Sequence, residues 1–290
     1  MHAAGTVGRI LPFRGQPRVA VCQAAGGASR FPRPDSASPQ EAANLIADED
    51  ALGWDSTAAA DAYRGRDMTL AEALIFPAVL ERLAGRSGPD RLALDIGCGT
   101  GAVAALLAGT GAWTVQGLDP SADMLDIARA DRPHPRVSYR LFDGRGLDWL
   151  ADASVDAAVC CLVYCTDPDD DRLAGLTAEI HRVLRPGAPY VLADLNPAAT
   201  GVAFSTLRHG EPDTVYGDGD TVATRLRLRD GSTMTSTTYY RSLERYRSLL
   251  TGAGFPSPQV DLPTLPAEGS AHEAPAETRT APYMVLTTHA

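Results

Sequence analysis

Hydrophobic and polar positions follow two different periods along this chain. Leu70, Leu74, Leu80 and Leu83 recur at helical spacing, and Thr69-Leu70-Ala71-Glu72 at their start fits a capping box. Pro77 lies inside the pattern and is expected to split it into two helices. Beyond residue 90, short apolar runs alternate with helical stretches. Arg91 to Ile96, Trp113 to Leu118, Val137 to Phe142, Val155 to Val163 and Pro189 to Asp194 read as strands. Helices are expected over about 101–109, from a Ser121 cap to Ala130, and over about 170–184. Such alternation builds βαβ units, an α/β class with a doubly wound, mostly parallel sheet and helices on both faces.

Farther along, the period changes to two. Val222, Leu226 and Leu228 alternate with Arg225, Arg227 and Arg229, Asp230-Gly231 is a two-residue turn signal, and a Thr-rich run follows. These features predict a β-hairpin within an insert at about 196–238. It is expected to cap the ends of the strands; the plainer alternative is a hairpin that only covers sheet surface. Tyr239, Tyr240 and Arg241 follow it and open the next helix.

Met1 to about Glu49 shows neither period. The stretch FPRPDSASP, Phe31 to Pro39, sustains no helix or central strand, so residues 1–49 read as a disordered extension or the result of a start placed too far upstream. An Arg-rich, acid-free leader would also suit an organelle transit peptide. Residues 50–90 read as a helical segment and 91–290 as the main domain.

Charge narrows the possible partners. The net charge is -10 over 290 residues. Five arginines and no acids occupy the first 34 positions, so the rest is more acidic still, and the chain contains no lysine. An acidic body without a basic run argues against nucleic acid and for a small or neutral substrate. No apolar run is long enough to span a membrane. Five cysteines, with Cys160 and Cys161 adjacent in an apolar run, do not form a disulfide framework and suit a reducing, cytoplasmic setting. Nothing here indicates an oligomeric state.

The chemistry concentrates in LALDIGCGTGAVAALLA, Leu92 to Ala108. Gly97, Gly99 and Gly101 follow a strand and precede a helix, at the carboxyl end of a parallel sheet where ligands bind. Glycines there permit positive φ and close ligand approach, and the helix directs free N–H groups into the loop. A dinucleotide would also suit Gly97-x-Gly99-x-x-Ala102. Asp95 before the glycines, Asp119 after the second strand and Asp143 in LFDGR favour a cationic ligand bearing an ammonium, a ribose diol and an adenine.

These residues resemble the class I S-adenosylmethionine-dependent methyltransferases, in their small-molecule branch. LALDIGCGTG resembles the first motif of that family. VQGLDPSADMLDIARA resembles the second, LFDGRGLDWLADASVDAAVC the adenine loop and fourth strand, and EIHRVLRPGAPYVLADL the elements that close the core. The resemblance spans about Ala58 to Thr288. It implies a seven-stranded Rossmann-like sheet whose sixth strand is about Gln259 to Leu262 and whose antiparallel last strand is Pro282 to Thr288. It implies S-adenosyl-L-methionine as cofactor, held by Asp95, Gly97, Cys98, Gly99, Gly101, Asp119, Pro120, Met124, Asp143, Gly144 and Cys161, with Tyr63 from the helical segment that would cover it. The reaction implied is in-line methyl transfer to a small-molecule acceptor.

The family's frequent histidine after strand four is missing from CLVYCTDPDD. Tyr164, Cys165 and Asp167 are the local substitutes, and His209, read as a solvated loop residue, is a further weak candidate for a base. Cys160, Cys161 and Cys165 read as apolar packing, so no metal is expected. Tyr240 and Arg241 are assigned to the acceptor, against a plainer pairing of Arg241 with Glu244. Two other functions remain open: a methyltransferase fold that binds cofactor without catalysis, and an NAD-dependent oxidoreductase, which the absence of lysine disfavours.

Overall fold

In the computed structural model, residues 57–85, 88, 90–267 and 275–290 are described, so the expectations for residues 1–49 lie outside them. Helices α1 (Thr57–Arg64) and α2 (Thr69–Leu83) come first. Pro77 does not split α2. The lost hydrogen bond and ring clash cost about 3 kcal/mol. The helix nevertheless anchors both halves in the core, through Leu70, Ala71 and Leu74 on one side of the proline and Val79 and Leu83 on the other. Each large apolar side chain so buried contributes about 1.5–3 kcal/mol. The expected capping box is also absent: Asp67 Oδ1 accepts from both the backbone N–H and the hydroxyl of Thr69, at 3.1 and 2.6 Å.

Five parallel strands follow: β1 (Leu92–Ile96), β2 (Thr114–Asp119), β3 (Val137–Leu141), β4 (Ala157–Cys161) and β5 (Pro189–Leu195). Helices α3 (Ala102–Gly109), α4 (Ala122–Asp131) and α5 (Asp170–Val183) lie between them. Ser121 and Asp169 cap α4 and α5 with their side chains. After α6 (Leu243–Gly252), strands β9 (Gln259–Asp261) and β10 (Tyr283–His289) complete a seven-stranded sheet. Its order is β3-β2-β1-β4-β5-β10-β9, with β10 antiparallel to both neighbours.

Strand alternation divides the core into two layers. Ala93, Val115, Val159 and Val191 pack with α2 and α3, while Leu94, Ile96, Cys160 and Leu192 pack with α5 and α6. The strand expected over Val155 to Val163 spans only Ala157 to Cys161; it ends early because Leu162 takes φ +59° and turns the chain into a 3₁₀ turn at Tyr164–Thr166.

The hairpin is present as β7 (Thr221–Arg227) and β8 (Thr233–Tyr239), joined by a third strand, β6 (Leu207–His209). Its turn is one residue longer than expected. Gly231 at φ +88° donates to Leu228 O, and Leu228 donates to Ser232 O, so Arg229, Asp230 and Gly231 form a three-residue loop. Residues 65–67 add to this small sheet: Arg66 bridges Leu228, Asp67 N–H donates to Arg227 O at 2.9 Å, and Arg229 N–H donates to Gly65 O at 2.9 Å.

Candidate functional site

The central strands point their carboxyl ends at one edge, where the chain leaves β1 through Gly97, Gly99 and Gly101 at φ +66°, +50° and +77°. A Cβ on Gly97 would stand 2.3 Å from Val163 Cγ2, and one on Gly101 would stand 2.3 Å from the Tyr139 hydroxyl. The third glycine therefore makes room for a side chain of β3. It lines neither of the cavities here, contrary to the role the sequence suggested.

Two adjoining cavities of about 230 and 130 Å³ open at this edge, sharing Tyr63, Gly97, Cys161 and Leu162 as walls. In the larger, Asp95, Cys98 and Thr100 face Tyr63, Met68, Ala71 and Phe76 of the helical segment. Asp95 is buried, and its Oδ2 has no hydrogen-bond partner. Burial, reinforced by the nearby Asp119 charge, pushes its carboxyl up to about 7 against a backbone hydrogen bond that favours ionisation. An orphaned buried carboxylate oxygen costs about 1–3 kcal/mol or more unless a ligand supplies a donor.

The smaller cavity runs from Gly99, Asp119, Pro120 and Met124 past Arg66, Val163, Cys165 and Thr166 to Leu195. Its far wall is the hairpin, through Thr224, Leu226, Ser236 and Thr238. Asp119 is held from behind, with Oδ2 accepting from Gly99 N–H at 2.8 Å and Oδ1 from Ser121 N–H at 3.0 Å. Each oxygen keeps a lone pair for a ligand hydroxyl.

Asp95, Gly97, Cys98, Gly99, Asp119, Pro120, Met124, Cys161 and Tyr63 thus converge on the cavity walls. Asp143 and Gly144 do not: they follow β3 outside both cavities, and the exposed Asp143 accepts from Arg145 N–H at 3.1 Å. Among the base candidates, Tyr164 belongs to the core. Its hydroxyl meets Thr177 Oγ1 at 2.6 Å and the Tyr190 hydroxyl at 3.1 Å, and its ring stacks on Tyr246. Cys165 lines the smaller cavity, but burial raises its thiol pKa well above the ordinary range and keeps it protonated. His209 is buried in β6 rather than solvated, with Nδ1 2.8 Å from Thr224 Oγ1 and 3.2 Å from Thr238 Oγ1. Burial lowers its pKa to about 4, so the ring is neutral.

The acceptor assignments also change. Tyr240 stacks on Tyr216 and lines neither cavity. Arg241 is buried and clamps the 3₁₀ turn to α5, donating to Asp170 Oδ1 at 2.7 Å and to the Tyr164 and Asp167 carbonyls at 2.5 Å each. Glu244 instead pairs with Arg247. The hairpin residues that do face the cavity were missed. Thr224 and Leu226, and Ser236 and Thr238, are two apart on their strands, so period two marks them as sharing a face. Arg66 stands in the polar run Tyr63 to Asp67, which carries no such signal.

Residues 93–187 match a family model described as a methyltransferase domain. The chain is 34% identical to the N-demethylindolmycin N-methyltransferase of Streptomyces griseus over 76% of its own length and 94% of that protein's. Its fold is similar to that of an S-adenosylmethionine-dependent methyltransferase from Mesorhizobium loti, at TM-score 0.53 and 22% identity, over 76% of this chain and all of that one. It is likewise similar to the CcbJ methyltransferase from Streptomyces caelestis, at TM-score 0.53 and 21% identity, over 78% of this chain and 91% of that one.

Proposed function

The chain belongs to the class I S-adenosylmethionine-dependent methyltransferases, and from that premise we propose that its larger cavity takes the amino-acid end of the cofactor and its smaller one takes the ribose and, beneath the hairpin, the methyl acceptor. The enzyme methylates a small molecule; the alternatives of a non-catalytic subunit and an NAD-dependent oxidoreductase are not favoured. When bound, the cofactor supplies a methyl group on a sulfonium, an electrophile that needs no further activation.

One observation carries the assignment. The buried, unpartnered Asp95 Oδ2 and the braced Asp119 carboxylate stand on either side of the glycine turn. Asp95 fits an ammonium group, and Asp119 fits two vicinal hydroxyls. Gly97 and Gly99 let the ligand lie against the backbone between them. The helical segment contributes Tyr63, Met68 and Phe76 as a cover that excludes water.

The walls of the acceptor end favour nitrogen as the methylated atom. Tyr164 lies in the core, the Cys165 thiol is protonated, and the neutral His209 ring faces Thr224 and Thr238. No ionised base is aimed at the acceptor among these three. A neutral amine attacks through its own lone pair and loses its proton afterwards, whereas a hydroxyl of ordinary acidity needs a base beside it. The name of the Streptomyces griseus relative points the same way.

Replacement of Asp119 by Ala tests the cofactor half. Loss of a charged acceptor for two hydroxyls is expected to cost about 2–4 kcal/mol of binding, or roughly 30-fold or more in the dissociation constant of S-adenosylhomocysteine. Calorimetry reads this directly, and an unchanged constant contradicts the placement.

A further inference from the structure

Arg66 is 6% exposed and lines the smaller cavity but not the larger one. Its guanidinium lies 5.6 Å from the Tyr63 ring centroid, and its charge acts on the buried phenols of Tyr63 and Tyr283. Among the described residues, no carboxylate forms an ion pair with it. Asp67, its neighbour in sequence, turns to Thr69 and Arg227. Asp119, the carboxylate in the same cavity, is held by Gly99 and Ser121. Cys165 is a protonated thiol. A buried cation whose neighbours are neutral phenols lacks the counter-ion that burial normally demands.

Sheet order says which ligand supplies it. Asp95 lies one residue before the end of β1 and Asp119 ends β2, whereas Tyr283 begins β10 and pairs with Leu195 at the end of β5. The arginine therefore sits toward the acceptor half, near Leu195, Thr224 and Leu226, two strands beyond β1. We propose that Arg66 is the anion subsite of the acceptor chamber, and that the methyl acceptor carries a carboxylate which the guanidinium binds through paired hydrogen bonds. This rests on the reading of the smaller cavity as the acceptor chamber. The bound anion would fix the acceptor's orientation, and Leu195, Val163 and Leu226 would pack its apolar body.

Benzoate and its neutral analogue benzamide are suitable probes, titrated into the full chain saturated with S-adenosylhomocysteine. Benzoate is expected to bind at least about tenfold more tightly than benzamide. Arg66→Gln should abolish that preference while leaving the affinity for S-adenosylhomocysteine within about twofold, and Arg66→Lys, which keeps the charge, should retain part of it. Equal binding of the two probes by the unaltered protein overturns the proposal without recourse to any variant. So does a roughly tenfold or greater loss of S-adenosylhomocysteine affinity in Arg66→Gln, which would assign the arginine to the cofactor's own carboxylate. Failure of the unaltered protein to bind S-adenosylhomocysteine overturns the cavity assignment and the proposal together, whereas failure of the probe comparison with that ligand bound overturns the proposal alone.

Discussion

Two basic residues beside the site differ in consequence because of what satisfies them. Arg241 has its counter-ion in Asp170 and two carbonyls as further acceptors. Its removal leaves the Tyr164 and Asp167 carbonyls without their donor, while Arg245 still holds Asp170, and Arg241→Ala is expected to destabilise the fold by about 2–4 kcal/mol. Denaturant unfolding checks this; the folded fraction should still bind S-adenosylhomocysteine normally. A stable variant with impaired turnover would return Arg241 to the acceptor. His209 contributes through its neutrality. Its pKa falls to about 4 in the fold, below the ordinary 6.5. Between those values the unfolded chain binds a proton that the folded chain does not, so stability is retained above pH 6.5 and lost as the pH falls toward 4. The stability advantage over His209→Gln should shrink across that window by about 2–3 kcal/mol, as read by unfolding at a series of pH values. A constant difference would mean that the ring is solvated.

At the scale of elements, the glycine turn combines two demands. Gly97 and Gly99 line the smaller cavity, while Gly101 yields its space to Tyr139. Gly101→Ala combines a positive φ with a clash, so it should lower stability by roughly 1–3 kcal/mol, with cofactor affinity little changed once folded. Thermal unfolding together with a binding titration separates the two effects. Much of this was legible in the sequence where the determining interaction is local. A run of apolar residues ending in Asp95 or Asp119 marks both a strand and the place its acid occupies, and Ser121 caps the helix it precedes. Contacts made across the fold were not legible. Arg241 sits three residues from Glu244 but finds Asp170 71 positions away. His209, between Arg208 and Gly210, looks like loop because a three-residue strand is too short to show a period. Pro77 should break a helix, and only the burial on both sides of it shows why α2 continues.

Across the whole molecule, the site is assembled from distant parts: the helical segment, the ends of the central strands and the hairpin. The pairing of residues 65–67 with the hairpin joins its two covers. No helix among the described residues is long and apolar enough to cross a membrane. In this assembly Asp95, whose buried Oδ2 has no hydrogen-bond partner, is the group we assign to the cofactor's ammonium, and its titration tests the account most directly. With a carboxyl pKa of about 7 before binding and a lower one once an ammonium is seated, binding must expel a proton below neutrality. Calorimetric titration with S-adenosylhomocysteine from pH 5.5 to 7.5 should show affinity rising toward about tenfold per pH unit in the acid range and levelling near pH 7. Asp95→Asn should bind more weakly with no such slope. A flat profile in the unaltered protein, or the same slope in Asp95→Asn, would contradict the assignment of this cavity to the cofactor's ammonium.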